Sequence, residues 1–242
     1  MDKVFTQPNI DRNIDKIVQH PIGGPTIWTV ANSLTFFRIF ISPVFLLIYL
    51  QHDFFGISAQ ALPYVLLFLL GISELSDAFD GFLARRYNQV TDLGKILDPM
   101  ADSISRISIF LTFTQPPVNV PLVCVFIFLY RDSVTSTLRT ICALRGIALA
   151  ARPSGKMKAI IQAICSFVIV LLLIPHSLGT LSNDALTQLS TVFVLVAAFY
   201  ALYSGVDYLY ANRAHIQRVL IRKSRHALKY SRFQNKEMVT KS

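Results

Sequence analysis

Long apolar stretches constrain this sequence most, because each approaches the length that a helix needs to cross a membrane. A membrane-spanning helix requires about 20 mostly apolar residues. Six stretches in the chain of 242 residues come near that length and carry few charges. They occupy residues 31–50, 57–72, 96–113, 118–136, 159–174 and 186–210. The sequence therefore predicts an all-α, polytopic membrane protein with six transmembrane helices.

The composition excludes other classes of protein. Only 15% of the residues are charged, whereas a soluble domain carries about 25%. A disordered chain would lack such apolar stretches. The three cysteines all lie inside apolar segments, as expected for small buried side chains rather than for a disulfide scaffold.

The distribution of Lys and Arg predicts the orientation. The links at 51–57, 114–117 and 175–185 contain no Lys or Arg, whereas the links after the second and fourth stretches contain several. Nine more basic residues follow the sixth stretch, between Arg213 and Lys241. Basic loops stay on the cytoplasmic side. We therefore expect both termini in the cytoplasm and the protein in the cytoplasmic (inner) membrane.

Three regions follow from these patterns. Residues 1–25 have isoleucines at helical spacing among charges, which fits either an interfacial helix on the membrane or a solvated tail. Residues 26–212 form the membrane domain. Residues 213–242 are a basic tail that could contact anionic lipid headgroups or simply fix orientation. No folded nucleic-acid module accompanies these charges, so nucleic acid is not an expected partner.

The acidic residues are concentrated between the second and third stretches, where six of the 14 fall within 29 residues. Residues three and four apart share a helix face, so four aspartates can converge near the cytoplasmic boundary: Asp77, Asp80, Asp98 and Asp102. Crowded carboxylates raise one another's pKa unless cations or shared protons relieve them. Oxygen ligands suit Mg²⁺, Mn²⁺ or Ca²⁺, and the absence of His and Cys from this cluster argues against zinc.

Small residues accompany the acids on the same faces. Gly81, Ala84 and Gly94 could permit close helix packing or leave a slot for a substrate. Pro99 lies between Asp98 and Asp102 and predicts either the start of the third helix or a kink in it.

These residues form a recognisable pattern with fixed spacing. It resembles the signature of the CDP-alcohol phosphatidyltransferases at eight positions: Asp77, Asp80, Gly81, Ala84, Arg85, Gly94, Asp98 and Asp102. The resemblance implies six transmembrane helices, cytoplasmic catalytic motifs, a homodimer and a two-metal site holding Mg²⁺ or Mn²⁺. It also implies that all four aspartates bind metal and that Asp102 is the general base.

The resemblance further implies a set of residues around the cytidine diphosphate of a lipid donor, CDP-diacylglycerol. They are Asn32, Thr35, Gly81, Ala84, Arg85, Thr91 and Gly94. For Asn32 and Thr35, helix capping is an equally good interpretation.

The acceptor is predicted from cations that lie within or beside the fourth and fifth stretches. Arg131, Arg139 and Lys156 suit an acceptor that bears its own phosphate, although Arg131 and Asp132 could simply form an internal pair. Arg152 and Lys158 add positive charge in the same loop as Lys156. Arg131-Asp132 with Arg139, and residues 203–208, resemble the glycerol-phosphate branch of the family. We therefore expect transfer of a phosphatidyl group to glycerol 3-phosphate, giving phosphatidylglycerophosphate and CMP.

Two different functions remain open from the sequence. The same chemistry could use inositol phosphate, inositol, serine, choline or phosphatidylglycerol, of which the cation choline fits the basic residues poorly. A non-enzymatic cation transporter would explain carboxylates within the membrane. It would not explain the small residues or the clustering of the acids at one face.

Overall fold

The computed structural model describes the backbone of residues 30–86, 92–143, 149 and 152–239, and the side chains of 33–79, 97–142, 149, 152–214, 216 and 217. Within these ranges all regular secondary structure is helical, as predicted, and no strand occurs. The six helices are α1 (Val30–Gln51), α2 (Leu62–Arg86), α3 (Asp92–Thr112), α4 (Leu122–Ala143), α5 (Pro153–Ser177) and α6 (Asn183–Val239). The predicted interfacial segment at residues 1–25 lies outside the described residues.

The helices pack as two groups of three. In the first group α1 packs against both α2 and α3, and in the second α6 packs against both α4 and α5. Contacts of α2 with α5 and of α3 with α4 join the two groups. Their common core contains large apolar side chains that are almost fully buried, including Phe45, Leu66, Phe110 and Phe128. The position of α1 between α2 and α3 matters for the site, because those two helices carry the predicted aspartates.

Four helices are long and apolar enough to span a membrane by length and composition, in the part of the chain that the structure describes: α1, α2, α5 and α6. The other two predicted spans correspond to α3 and α4, which carry more charge. Arg106 on α3 and Asp132 on α4 are buried, at 8% and 9% exposure. Charged side chains on membrane helices normally face the bundle interior in this way.

Large apolar side chains cover much of the outer surface of the bundle. Phe40, Phe68, Val123 and Phe199 are each more than 60% exposed. An apolar surface of this extent needs a covering of lipid or protein. It supports membrane embedding of the helices.

The helices extend past the apolar stretches at their charged ends. The second stretch was expected to end at residue 72, but α2 continues to Arg86, and α6 continues to Val239 rather than ending near 210. Pro99 lies inside α3 and therefore does not begin it. Pro153 occupies the first turn of α5, where its missing N–H costs no hydrogen bond.

The polar residues gather at one end of the bundle. The helices alternate in direction, so the beginnings of α1, α3 and α5 lie beside the later parts of α2, α4 and α6. Hydrogen bonds between Thr35 and Asp98 and between Arg152 and Asp207 belong to this end. At the opposite end, the Tyr49 hydroxyl donates to the Gln115 carbonyl at 3.1 Å.

Candidate active site

Two of the four predicted metal ligands, Asp77 and Asp98, contact residues of α1. Arg38 of α1 forms an ion pair with Asp77 of α2, and its Nη2 lies 3.5 Å from the backbone carbonyl of Asp98 on α3. Thr35 donates from Oγ1 to Asp98 Oδ1 at 3.0 Å. Two aspartates that are distant in the sequence are therefore brought to one place by α1. No function for Arg38 was predicted from the sequence.

The position of Thr35 excludes the helix-capping interpretation. Helix α1 begins at Val30, so Thr35 lies more than one turn inside the helix and is not its N-cap. Its side chain is fully buried and its hydroxyl is directed to Asp98. Thr35 thus belongs to the polar cluster.

The predicted base, Asp102, lies one turn after Asp98 on α3 and has its own cationic partner. Arg106 Nε donates to Asp102 Oδ1 at 2.6 Å, and Arg106 Nη1 donates to the Ala159 carbonyl of α5 at 2.9 Å. Glu74 of α2 lies 3.8 Å from the same Nη1 atom. Arg106 thereby links three helices and fixes the orientation of the Asp102 carboxylate.

The chemistry of these donors fits a hard divalent cation. The ligands predicted from the sequence are all carboxylates, and Mg²⁺ and Mn²⁺ prefer oxygen ligands. Among side chains that the structure describes, no group of three potential metal ligands occurs. Asp80 falls outside that set. The Arg38 guanidinium pairs with the Asp77 carboxylate and lies beside the backbone carbonyl of Asp98, so positive charge is present next to both predicted ligands.

A polar cavity of about 280 Å³ opens beside Asp102, between α3, α4 and α5. Its lining brings together the predicted base and all three predicted acceptor-binding residues, Arg131, Arg139 and Lys156. Arg152 and Lys158 add two further cations to the same wall. Among the described residues, five cations and two carboxylates, those of Asp102 and Asp132, line this space. The cavity is suited to an anionic ligand.

Part of this positive charge is used within the protein. Arg131 Nη1 donates to Asp132 Oδ1 at 2.9 Å, and Lys158 Nζ donates to both carboxylate oxygens of Asp132 at 2.8 and 2.9 Å. The internal pair that the sequence left open is therefore present. Lys158 is 4% exposed, so its charge requires the Asp132 partner.

Arg152, at the start of α5, is held by α6. Its guanidinium donates to both carboxylate oxygens of Asp207, at 2.9 and 3.3 Å, and Ser154 Oγ donates to Asp207 at 2.6 Å. The hydrogen bond with Asp207 raises the pKa of Arg152 above its ordinary value, so this cation stays charged at every accessible pH.

Two cations of the cavity have no such internal partner. No ion pair of Arg139 or Lys156 occurs among the described residues, and both side chains are exposed. They are therefore available to a ligand.

The contacts of four further residues were not predicted. Arg152 and Lys158 were among the cations that the sequence offered for the acceptor, and Ser204 and Asp207 lie in residues 203–208, which resemble the glycerol-phosphate branch. The packing of α5 and α6 pairs Arg131 with Ser204, Arg152 with Asp207 and Lys158 with Asp132.

The remaining predicted residues cannot be assigned contacts. Thr91 lies outside the described residues. The side chains of six others also lie outside them, although their backbones belong to α1, α2 and α3: Asn32, Asp80, Gly81, Ala84, Arg85 and Gly94. Their roles stay predictions.

Several known proteins are similar to this chain in sequence. The chain is 28% identical over 186 residues to the CDP-diacylglycerol–glycerol-3-phosphate 3-phosphatidyltransferase of Rickettsia typhi, covering 76% of this chain and 97% of that protein. The Bacillus subtilis protein of the same name is 28% identical over 192 residues, covering 77% and 96%. A cardiolipin synthase (CMP-forming) of Streptomyces coelicolor is 33% identical over 126 residues, covering 47% and 57%.

The family assignment rests on a match to a family model. The family model of the CDP-alcohol phosphatidyltransferases matches residues 28–203. This range includes the aspartates of α2 and α3 and every cation that lines the cavity. The protein is therefore an enzyme that belongs to the CDP-alcohol phosphatidyltransferase family.

Proposed function

We propose that the protein transfers a phosphatidyl group from CDP-diacylglycerol to glycerol 3-phosphate, giving phosphatidylglycerophosphate and CMP. The observation that carries this proposal is the cavity in which Asp102 faces Arg131, Arg139 and Lys156. Asp102 can accept a proton, and the three cations can bind a phosphate. The names of the relatives from Rickettsia typhi and Bacillus subtilis support the same reaction.

The cations determine what kind of acceptor fits. Guanidinium groups bind phosphate through paired hydrogen bonds, and lysine binds it as a point charge. An acceptor with a phosphate monoester brings close to two negative charges into the cavity, which the unpaired Arg139 and Lys156 can neutralise. A cationic acceptor such as choline would be repelled by the same wall.

The proton of the attacking hydroxyl passes to Asp102 in this proposal. The acceptor oxygen forms a bond to the donor phosphorus adjoining diacylglycerol, and the bond from that phosphorus to the CMP oxygen breaks. Arg106 occupies Asp102 Oδ1, which leaves Oδ2 to take the proton. General-base catalysis requires such contact with the reacting hydroxyl.

The donor half of the site is assigned to the aspartate cluster. Asp77, Asp80, Asp98 and Asp102 would hold two divalent cations, Mg²⁺ or Mn²⁺, which neutralise charge on the diphosphate and on the departing CMP. Arg38 and Thr35 keep Asp77 and Asp98 together. The nucleotide would lie against Asn32, Gly81, Ala84, Arg85, Thr91 and Gly94.

The membrane placement of this site follows from the charge distribution. All six helices would cross the bilayer, with both termini and the cavity on the cytoplasmic side of the inner membrane. The four apolar helices and the interior-facing charges of α3 and α4 support this arrangement. A homodimer is part of the proposal because the family resemblance implies one.

An acceptor screen tests the reaction. Purified protein in detergent receives CDP-diacylglycerol, a divalent cation and one acceptor at a time, and CMP release is measured. We expect CMP with glycerol 3-phosphate in the presence of Mg²⁺ or Mn²⁺, and none after chelation. Release of CMP only with an acceptor that lacks phosphate would overturn the proposal that the cations of the cavity bind the phosphate of the acceptor.

Phosphatidylglycerol is the second candidate acceptor. The partial match to a cardiolipin synthase (CMP-forming) favours it over inositol phosphate, inositol, serine and choline, and phosphatidylglycerol also carries a phosphate. The lipid product distinguishes the two reactions, because phosphatidylglycerol as acceptor would yield cardiolipin instead of phosphatidylglycerophosphate.

A further inference from the structure

One short segment of α6 holds two arginines of the cavity that come from different parts of the chain. Arg131 of α4 donates from Nη2 to Ser204 Oγ at 2.8 Å, and Arg152 donates from Nη2 to Asp207 Oδ1 at 2.9 Å. Ser204 and Asp207 are three residues apart and therefore lie on one face of the helix. Among the described residues, the cavity lining includes Tyr208 of α6 itself and three side chains that are hydrogen-bonded to Ser204 or Asp207: Arg131, Arg152 and Ser154.

Ser204 and Asp207 stand behind the cavity and not in its wall. The lining includes Arg131 and Arg152 but neither of these two residues. Ser204 is fully buried, and the Asp207 side chain is 22% exposed. Any effect that they have on a ligand must pass through side chains of the lining, which are Arg131 for Ser204 and Arg152 and Ser154 for Asp207.

The hydrogen bonds leave both arginines able to bind a ligand. A guanidinium carries five N–H donors. Arg131 uses one donor of Nη1 for Asp132 and one of Nη2 for Ser204, so a second donor remains on each of these atoms. Arg152 uses Nε and Nη2 for Asp207, so both donors of Nη1 remain. Each guanidinium is held in one orientation with donors to spare.

The backbone of α6 also restricts the stem of Arg131. A Cβ atom placed on Gly205 would lie 3.1 Å from Arg131 Cγ, a distance tighter than ordinary van der Waals contact. The helix therefore approaches Arg131 closely because residue 205 has no side chain. Together with Ser204 and Asp132, this contact defines a single conformation of Arg131.

We propose that Ser204 and Asp207 are positioning residues that strengthen binding of the acceptor. They hold the guanidinium groups of Arg131 and Arg152 in the geometry that binds the phosphate of the acceptor. This inference rests on the proposed function and deepens it. An arginine released from its anchor regains rotamer freedom, which binding must then remove. The acceptor therefore binds more weakly, and the CDP-diacylglycerol site on α2 and α3 is unaffected.

Steady-state kinetics of anchor variants test the inference. Loss of the Ser204 hydroxyl, a neutral acceptor for the Arg131 guanidinium, in Ser204→Ala should raise KM for glycerol 3-phosphate about fivefold. Loss of the carboxylate in Asp207→Asn should raise it about tenfold or more, because hydrogen bonds to charged groups are stronger. KM for CDP-diacylglycerol should stay within about twofold in both variants, and Asp207→Glu should largely restore acceptor binding.

Ser190→Ala is the matched control. Ser190 is a fully buried serine of the same helix, and its hydroxyl has no hydrogen-bond partner within the described part of the chain. Its substitution should leave both KM values unchanged. A difference between Ser204→Ala and Ser190→Ala therefore reports the Arg131 anchor rather than the loss of a buried hydroxyl in general.

A double-mutant cycle tests whether Ser204 acts through Arg131. In an Arg131→Gln background, Ser204→Ala should have no further effect on KM for glycerol 3-phosphate, because the group that it positions is gone. Additive effects would overturn the inference. So would unchanged acceptor KM in the single variants, or equal increases in the KM of donor and acceptor.

The failure of the proposed function would be visible separately. Wild-type protein that released no CMP with glycerol 3-phosphate would overturn the proposed reaction, and the positioning role with it. Normal wild-type turnover with unaltered kinetics in Ser204→Ala and Asp207→Asn would overturn the positioning role alone.

Discussion

At the scale of single residues, buried charges in this protein are matched across helices. Asp132 lies between Arg131 and Lys158, and the three side chains are 9%, 12% and 4% exposed. Each contact in this group satisfies a charge that would otherwise be buried alone. Removing one partner from such a group is strongly destabilising, whereas replacing a pair by apolar residues is often tolerated.

Asp132 therefore gives a prediction about the stability of the folded protein. Asp132→Asn should destabilise the protein by about 3 kcal/mol or more, since Lys158 loses its counter-charge. The double variant Asp132→Asn with Lys158→Met should recover much of that stability. Thermal unfolding in detergent measures both effects. Equal stability of the single and double variants would contradict the role of Asp132 as the partner of Lys158.

The assignment of Asp102 as the base gives a second prediction. Asp102→Asn should abolish CMP release while binding of CDP-diacylglycerol largely survives. The fold should be retained, because Arg106 keeps Glu74 as a counter-charge and its hydrogen bond to the Ala159 carbonyl. Single-turnover CMP release and a donor-binding titration measure the two properties. Near-normal turnover would remove Asp102 as the base.

The sequence could predict these residues only where they form a local pattern. The aspartates of α2 and α3 recur at helical spacing, and Arg131, Arg139 and Lys156 are charges in or beside apolar stretches. The anchors Ser204 and Asp207 meet arginines 73 and 55 residues away in the chain. Such contacts depend on how α6 packs, which local spacing does not reveal.

At the scale of the helices, hydropathy predicted their number and order but not their ends. Hydropathy shows where a segment is apolar. A helix can extend beyond that segment, because its charged residues can face the bundle interior or lie outside the bilayer. For this reason α2 continues through the aspartate motif to Arg86. The convergence of the aspartates that the spacing predicted also depends on α1. Its residues Arg38 and Thr35 contact Asp77 of α2 and Asp98 of α3.

Two helical glycines provide a matched test of helix packing. Alanine in place of a helix-interior glycine stabilises a helix by about 1 kcal/mol where space allows. Gly71 has no atom within 4 Å of an added Cβ, whereas Gly205 has Arg131 Cγ at 3.1 Å. Gly71→Ala should therefore raise Tm, and Gly205→Ala should raise it less and also raise KM for glycerol 3-phosphate. An equal gain in Tm with unchanged KM in both variants would contradict the close packing of α6 on Arg131.

At the scale of the whole molecule, the charged residues of the site occupy one end of the bundle, and the links at the other end contain no Lys or Arg. This asymmetry is the basis for the proposed orientation. It could be read from the sequence because it depends only on which link carries which charge. The depth and shape of the cavity could not be predicted from the sequence, because they depend on the contacts between the two groups of helices.

Cysteine labelling tests the orientation. Ser58→Cys and Thr180→Cys lie in the links without basic residues, and Gln217→Cys lies beyond the apolar part of α6. All three positions are exposed, whereas the native cysteines are buried. In intact cells a membrane-impermeant maleimide should label the first two variants and leave Gln217→Cys unlabelled until the cells are opened. The reverse pattern would invert the proposed topology.

The central claim is that the basic wall of the cavity binds the phosphate of the acceptor. The most direct test is KM for glycerol 3-phosphate in Arg139→Gln, compared with Arg213→Gln, which removes a cation stacked on Tyr210 outside the cavity lining. Arg139→Gln should raise this KM about tenfold or more, the usual effect of losing a charged hydrogen bond, without changing KM for CDP-diacylglycerol. Arg213→Gln should change neither value. Indistinguishable KM values for glycerol 3-phosphate in the two variants would contradict the claim.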